Sequence, residues 1–533
     1  MKRSAIVIVL FRALMTPGNR LPTSELHRVL EKLRNSVPGT HAGAQRGLRN
    51  AILVILLGCL ILALPLRATD FYIDPATGSP AGDGSAADPW RALQEVIEAD
   101  LVETRDWESH PYEPGLQLVT VNPGAPVRAG DTLWLRSGYH GDVTLERAYN
   151  ESDIVIAAEN GHTPWLGSLL VQSAQNWVVR GVSVSPSFAP PPLEPIQIVA
   201  ILDHGFFGPA WDIALENSEL FSVEDPSSWS ADDWVNLASS GIRITADRIT
   251  IRRNRLRNVR SGISVSGDDA RIRFNEIDGF SADGLRGLGD GGLYEYNTIK
   301  NAYVGQPTDP NHDDGFQSWS VGPGGVGTGE VRDVVLRGNV FVNNEDPNHP
   351  LHAPLQGIGC FDGLFVNWVV ENNVVITDHW HGISFYGMID SLIVNNTVID
   401  LNDQSPGPPW IRVTESNGTP SENVVVRNNL ATDYSIAGVN ITEDHNLEFV
   451  DAASLFVAPP YDLHLLEASA AVDTGSPNLA PERDADQVQR PQGLEVDLGA
   501  YERKVEWIFG DGFESGDLVF WSSSTPLGDQ RQD

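Results

Sequence analysis

One repeated unit constrains this chain more than any other feature. A glycine-led alternation of apolar and polar residues, a turn, a second alternation that runs into an asparagine, and a further turn recur through the middle of the sequence. The asparagines are Asn254, Asn275, Asn297, Asn339, Asn373, Asn396 and Asn429, at intervals of 21, 22, 42, 34, 23 and 33 residues. The short intervals set a period of 21–23 residues, and the long ones are that period with a loop inserted. Pairs such as Ile242/Ile244, Ile249/Ile251 and Ile272/Phe274 carry the two-residue period of a strand. Three short strands per unit cannot bury their faces alone. Stacking coil on coil, at about 4.8 Å per rung, buries one continuous core. The asparagines then read as a hydrogen-bonded ladder at one tight turn, a structural role.

The segments outside the repeat sharpen this expectation. The chain resembles the pectate-lyase-like superfamily of right-handed parallel β-helix proteins in three places. Asp70 to Ile97 looks like that family's N-terminal cap with its short helix, Gly130 to Leu145 like its first coil, and Arg490 to Glu502 like its closing segment. The resemblance implies an all-β fold, a right-handed three-sheet parallel β-helix with a short N-terminal capping helix. It implies no single activity, because this architecture hosts lyases, hydrolases, epimerases and adhesins alike. The expected organisation is an extension over 1–47, a signal peptide or signal anchor over 48–68, cap and first coil over 69–150, coils over 151–440, a closing segment over 441–503 and a tail over 504–533.

Residues 51–66 form an unbroken apolar run after Arg46 and Arg49, short for a membrane span and suited to a signal-peptide core with cleavage near Ala68. Export to the medium or cell surface of a Gram-negative bacterium follows, or anchoring if the segment is kept. A lipobox ending at Cys59 is a weaker reading. The far end, from Ile508, resembles a short tail found on secreted proteins of such bacteria. Only Cys59 and Cys360 occur, so the mature chain has no internal disulfide. Cys360 falls on an inward strand position and reads as a small buried hydrophobe.

Charge excludes one partner class. The chain carries −35; residues 1–68 hold ten of its 36 basic residues and only two acids, so the remainder is more acidic still. Such a field repels nucleic acid. It also disfavours polyanionic sugars unless an arginine cluster or bound calcium reverses the sign locally. No organic cofactor is implied, and a monomer acting on or binding polysaccharide is expected.

The insertions locate the site. From each asparagine to the next glycine-led strand, compact coils need 8 or 9 residues; the gap widens to 18 before Gly315, 18 before Gly357 and 14 before Trp410. All three loops therefore leave one turn and overhang one sheet, and long loops on a solenoid usually carry function. On that sheet the first outward column is Ser264, Arg286, Gln317, Gly359, Ser384 and Arg412. The second holds Trp319, Phe361 and Tyr386, an aromatic file suited to sugar rings or to a structural stack. At the strand mouths stand Asp283, Asp314, Gln356 and His381, flanked by His312, Asp313, His349, His352, His379 and Trp380.

Three chemistries fit. Uronate β-elimination or C5 epimerisation needs a carboxylate neutralised and protons moved. Arg286, Gln317 or Arg412 would neutralise it, alone or with calcium on Asp283, Asp313 or Asp314. His381 and Tyr386 would serve as base and acid. Lys300, one of two lysines after residue 68, lies off this sheet, which counts against a lysine base. An inverting glycoside hydrolase would use Asp283 and Asp314. The order HDDG, HGIS, WIRV is similar to that of polygalacturonases, with the coil of Gln356 intervening and the final lysine missing. A non-catalytic polysaccharide-binding or adhesive protein is the third reading.

Overall fold

A computed structural model describes residues 68–504 apart from 193, 306, 347, 403 and 404. The apolar run with Cys59 and the tail after Ile508 lie outside the described residues. What is described is an all-β parallel β-helix. Each coil gives one strand to each of three sheets, as Ser240–Ile244, Thr250–Arg252 and Arg255–Val259 do, before Ile263–Val265 starts the next rung. Pairing between coils is parallel on all three sheets. Sheet 1 here denotes the strands in the series of Ser240–Ile244, sheet 2 those of Thr250–Arg252 and sheet 3 those of Arg255–Val259.

The alternation fixes what is inside. Ile242, Ile263, Leu285, Phe316, Ile358, Ile383 and Ile411 are Cα partners in sequence down sheet 1, and all are buried in one core cluster. Each such side chain contributes about 1.5–3 kcal/mol on burial, and the stack makes these contributions continuous along the axis. Cys360 is fully buried in the next inward column, between Ser318 and Phe385. Phe274 departs from the expected pattern. It adopts a left-handed conformation (φ 56°) in the asparagine turn, is exposed, and stacks on Tyr296 at 5.3 Å instead of pointing into the core.

The ladder forms as the spacing requires. Asn275 Oδ1 accepts both the backbone N–H (3.0 Å) and the side-chain amide (3.1 Å) of Asn254, and the motif repeats through Asn297, Asn339, Asn373, Asn396 and Asn429. It extends past the seven expected rungs, to Ser218 on one side and Asn446 on the other.

The ends are sealed. Asp70–Ile73 pairs with Thr132–Leu135, and the helix Leu93–Glu98 buries Leu93 and Val96 in the main core. An antiparallel hairpin, Thr104–Trp107 with Leu118–Val121, has no counterpart in the sequence reading. At the other end the closing segment lies along sheet 3, where Phe449, Phe456, Leu463 and Leu498 share a second core with Val374, Ile376 and Ile399. Asn372, Asn395 and Asn428, all left-handed beside the ladder, donate to the carbonyls of Arg483, Asp497 and Ser476 and so tie that segment down.

While the hairpin Val321–Gly322 with Gly325–Val326 leaves the turn from sheet 1 to sheet 2, the turn from sheet 3 to sheet 1 carries most of the long insertions of the middle coils. Besides the three expected loops, 185–196 and 222–239 leave the same turn, the second with a helix, Ala231–Asn236, capped by Ser230 and Asp233. Aromatic contacts fasten these loops together. Trp234 packs on Trp229 (5.1 Å) and Tyr303 (5.0 Å), and Tyr303 packs on His349 (4.3 Å). His349, expected beside the groove, thus belongs to this loop cluster, and His352 pairs with the buried Asp378 at 3.0 Å.

Candidate active site

Sheet 1 presents the outward column anticipated from the alternation. Arg243, Ser264, Arg286, Gln317, Gly359, Ser384, Arg412 and Ser435 are successive Cα partners. Three of these side chains are arginines and none is an acid. In a chain of −35 this column is locally rich in arginine, though Arg286 is paired with Asp283 at the strand mouth. From Gly241 to Gly382 these strands carry a glycine at their mouth; at Gly357 a Cβ would stand 2.3 Å from the carbonyl oxygen of Gly382 on the next coil.

A rule connects strand mouth to outward face. The mouth residue reaches the residue three positions on: Asp283 pairs with Arg286, Asp314 Oδ2 accepts from Gln317 Nε2 (2.9 Å), and His381 Nδ1 meets Ser384 Oγ (2.8 Å). The buried carboxylate of Asp283 also accepts from the backbone N–H of Asp314 (3.2 Å). Rungs are therefore cross-linked at their mouths by the candidate residues themselves.

Asp314 is the centre of the first locus. It is fully buried, and burial pushes its carboxyl up to about 7, against the opposing pull of His312. His312 Nδ1 lies 2.9 Å from Asp314 Oδ2 while the imidazole is 54% exposed. That hydrogen bond raises the His312 pKa above its ordinary value. Together they make an exposed imidazole backed by a buried acid, two groups sharing protons near neutral pH. Phe361 and Gly359 supply the dry wall. A Cβ at Gly359 would stand 2.4 Å from Asp314 Oδ1 and 2.7 Å from the Phe361 ring, so both fill the space that a side chain would take.

His381 is the centre of a second locus, two rungs along. Burial, with help from His379 and Arg412, depresses it to about 4, so it is neutral throughout the physiological range. Trp410 Nε1 donates to Ser384 Oγ (3.1 Å), and Phe361 meets the His381 ring edge-on at 4.8 Å. Arg412 lies next to it, 5.1 Å from the Trp410 ring and 5.7 Å from that of Tyr386, with Nη1 bonded to Ser435. Arg412 has no carboxylate partner among the described residues. Trp380 is exposed and His379, depressed by burial, stacks on His381 at 5.3 Å.

The aromatic file is broken. A register shift between Ser318 and Trp319 pairs Trp319 with Asp362 instead of Phe361. Trp319 lies instead against Arg286, whose guanidinium is 4.8 Å from its ring, while Phe361 and Tyr386 meet edge-on at 5.2 Å. Asp314 Oδ2 is held by His312 and Gln317, and burial drives the Asp313 carboxyl well above its usual range, toward the neutral acid. Among the described residues no group of three or more histidines, cysteines or acids is arranged to hold a metal. A separate cleft of about 600 Å³ opens on sheet 2, where Asp212 and Arg248 pair at 2.8 Å; no histidine lines it.

Residues 240–452, which include this site, match the family described as a right handed beta helix region. The parallel coils and this match agree on a right-handed parallel β-helix fold for the described residues. None of the curated proteins matches the chain. Among solved structures it is similar to pectate lyase Pel9A, at 15% identity over 82% of this chain and 97% of that one, with a TM-score of 0.42. It is similar to XylC in complex with xylose, at 10% identity over 82% and 99% of the two chains, TM-score 0.43. PfbA, a surface adhesin of Streptococcus pneumoniae, shares 10% identity over 60% of this chain and 79% of that one, TM-score 0.32.

Proposed function

We propose that sheet 1 binds an acidic polysaccharide and moves the C5 proton of a uronate, as elimination or epimerisation requires. The observation that carries this reading is the His312–Asp314 pair beside a column that holds arginines and no acid. The column offsets the repulsion that the acidic chain exerts on a polyanion. Arg286, one rung from Gln317, faces the carboxylate of the reacting uronate. Arg412, three rungs beyond Gln317 at about 4.8 Å each, faces a further carboxylate of the same chain.

In elimination, the exposed nitrogen of His312 takes the C5 proton. The C–H electron pair becomes the C4–C5 double bond, the C4–O bond breaks, and the leaving oxygen receives a proton. The imidazolium formed is stabilised by Asp314 and, on the same face, can return that proton to the departing oxygen. In epimerisation the proton returns to C5 from the opposite face and no bond to oxygen breaks. A pair titrating near neutral pH suits either sequence, because base and acid forms coexist there.

The hydrolase reading loses support. It needs a second carboxyl free to activate water. Asp283 is buried, bound to Arg286 and to the backbone of Asp314.

The test is a screen of the full chain against polyuronates and neutral polysaccharides. Ultraviolet absorbance reads new double bonds, reducing-end release reads hydrolysis, and affinity electrophoresis reads binding alone. New double bonds or altered C5 configuration in a polyuronate support the proposal. Reducing ends without either, or binding without any change, contradict it.

A further inference from the structure

The coil of Gln356 breaks the mouth-to-face rule. Asp283, Asp314 and His381 each find a partner three residues on, in Arg286, Gln317 and Ser384. Three residues after Gln356 stands Gly359, which has no side chain to offer. Gln356 is 8% exposed, and its Oε1 is buried without a partner. One rung away, its Cα partner Asp314 is fully buried, and the carboxyl oxygen abutting Gly359, Oδ1, is likewise without a partner. Two buried oxygens on adjacent rungs thus go unpaired where Gly359 replaces the side chain that the rule would supply. Leaving a polar atom buried and unpaired costs about 1–3 kcal/mol, and at Gln356 no side chain three residues on offsets it.

Building on the uronate reading above, we infer that Gln356 is a substrate-positioning residue whose Oε1 accepts a hydrogen bond from a ring hydroxyl of the bound sugar. The reactive pair is on the adjacent rung, so a sugar held by this contact is placed against His312. The occupant is a hydroxyl donor because both orphan atoms are oxygens and Gln356 carries no charge. A carboxylate would be repelled from the same spot. The arginine column therefore reads the acid of the uronate, and Gln356 reads its hydroxyl, which is a selection that charge alone cannot make.

The experiment pairs one substitution with one substrate change. Gln356→Met keeps length and apolar volume and removes the acceptor. Wild type and variant are compared on polygalacturonate and on the same polymer acetylated at its ring hydroxyls, with thermal unfolding measured alongside. The inference predicts that Gln356→Met raises KM roughly 3–10-fold on the unmodified polymer, the worth of one hydrogen bond, with Tm unchanged or higher. It also predicts that acetylation penalises the wild type and adds little to the variant. Equal KM for the two proteins would overturn it, as would penalties that simply add. A lower Tm with KM unchanged would show instead that the amide turns toward Asp314 and serves the fold. Failure of the uronate reading is separate and visible, because the wild type would then neither bind nor change the polymer, and this inference would fall with it.

Discussion

His312 Nδ1 sits 2.9 Å from Asp314 Oδ2, joining a half-exposed imidazole to a fully buried carboxyl at the mouth of one strand. Position explains the pairing. Residues two apart on a strand project to the same side, so an imidazole in the last residue of the loop can fold onto the acid at the strand mouth. Burial then keeps the acid protonated to unusually high pH, while the hydrogen bond keeps the imidazole protonated longer.

This arrangement makes stability depend on pH with a defined sign. The Asp314 carboxyl is raised from 3.8 to about 7, so between those values the folded chain holds a proton that the unfolded chain has lost. Its contribution is complete below about pH 4 and is lost as pH rises through about 7. His312, raised above 6.5, acts in the same sense at higher pH. Asp314→Asn should flatten the fall in unfolding free energy between pH 4.5 and 7.5 by an amount on the order of a few kcal/mol. Urea unfolding at several pH values measures this, and an unchanged slope would refute the assignment.

Arg412 tests the arginine column. Among the described residues its bonded partner is Ser435, and two aromatic rings lie beside it. Arg412→Ala should raise KM for a polyuronate about tenfold, near 1.4 kcal/mol, with little effect on Tm. The effect should shrink at high salt, since screening weakens the attraction that is removed. Steady-state kinetics at two ionic strengths decides it.

The ladder predicts a gradient in stability. Asn339 Oδ1 accepts two bonds from Asn297, and its amide donates to Tyr294 O (2.9 Å) and Asn373 Oδ1 (3.0 Å), all within the interior. Asn339→Ala orphans several buried groups and should cost about 3 kcal/mol or more. Asn446→Ala, at the half-buried end of the ladder, should cost roughly 1 kcal/mol. Denaturant midpoints of the two variants test the difference.

The closing segment rests on Arg490 and Glu502, a fully buried pair at 2.7 Å whose guanidinium also donates to Gly499 O (2.8 Å). Arg490→Met strands the carboxylate and should cost about 3–5 kcal/mol, whereas the double variant with Glu502→Leu should recover much of it. Limited proteolysis should cut the single variant first within residues 449–502.

Much of this was legible in the sequence, and the limits have physical causes. Two-residue alternation after each glycine fixed the inward and outward columns of sheet 1, because a strand offers no third choice of side. Two loops escaped notice because Ser218 stands where the later rungs have asparagine, which hid the period before Asn254. Phe274 was assigned to the core since its hydrophobicity fits, but the asparagine turn requires a left-handed residue there and turns it outward. The bulge that moves Trp319 off Phe361 depends on how two neighbouring strands register, which no single strand encodes. The residues of the acid–imidazole pair were visible in HDDG, yet only the fold shows that Asp283 is bound to Arg286 while Asp314 meets His312.

The most direct measurement follows the C5 proton. A polyuronate incubated with the protein in D2O and observed by proton NMR should lose its H5 signal, by exchange or by formation of a double bond. His312→Ala, folded to the same Tm, should leave that signal intact. An H5 signal untouched by the wild type, or lost equally with His312→Ala, would contradict the central claim that this pair moves the proton.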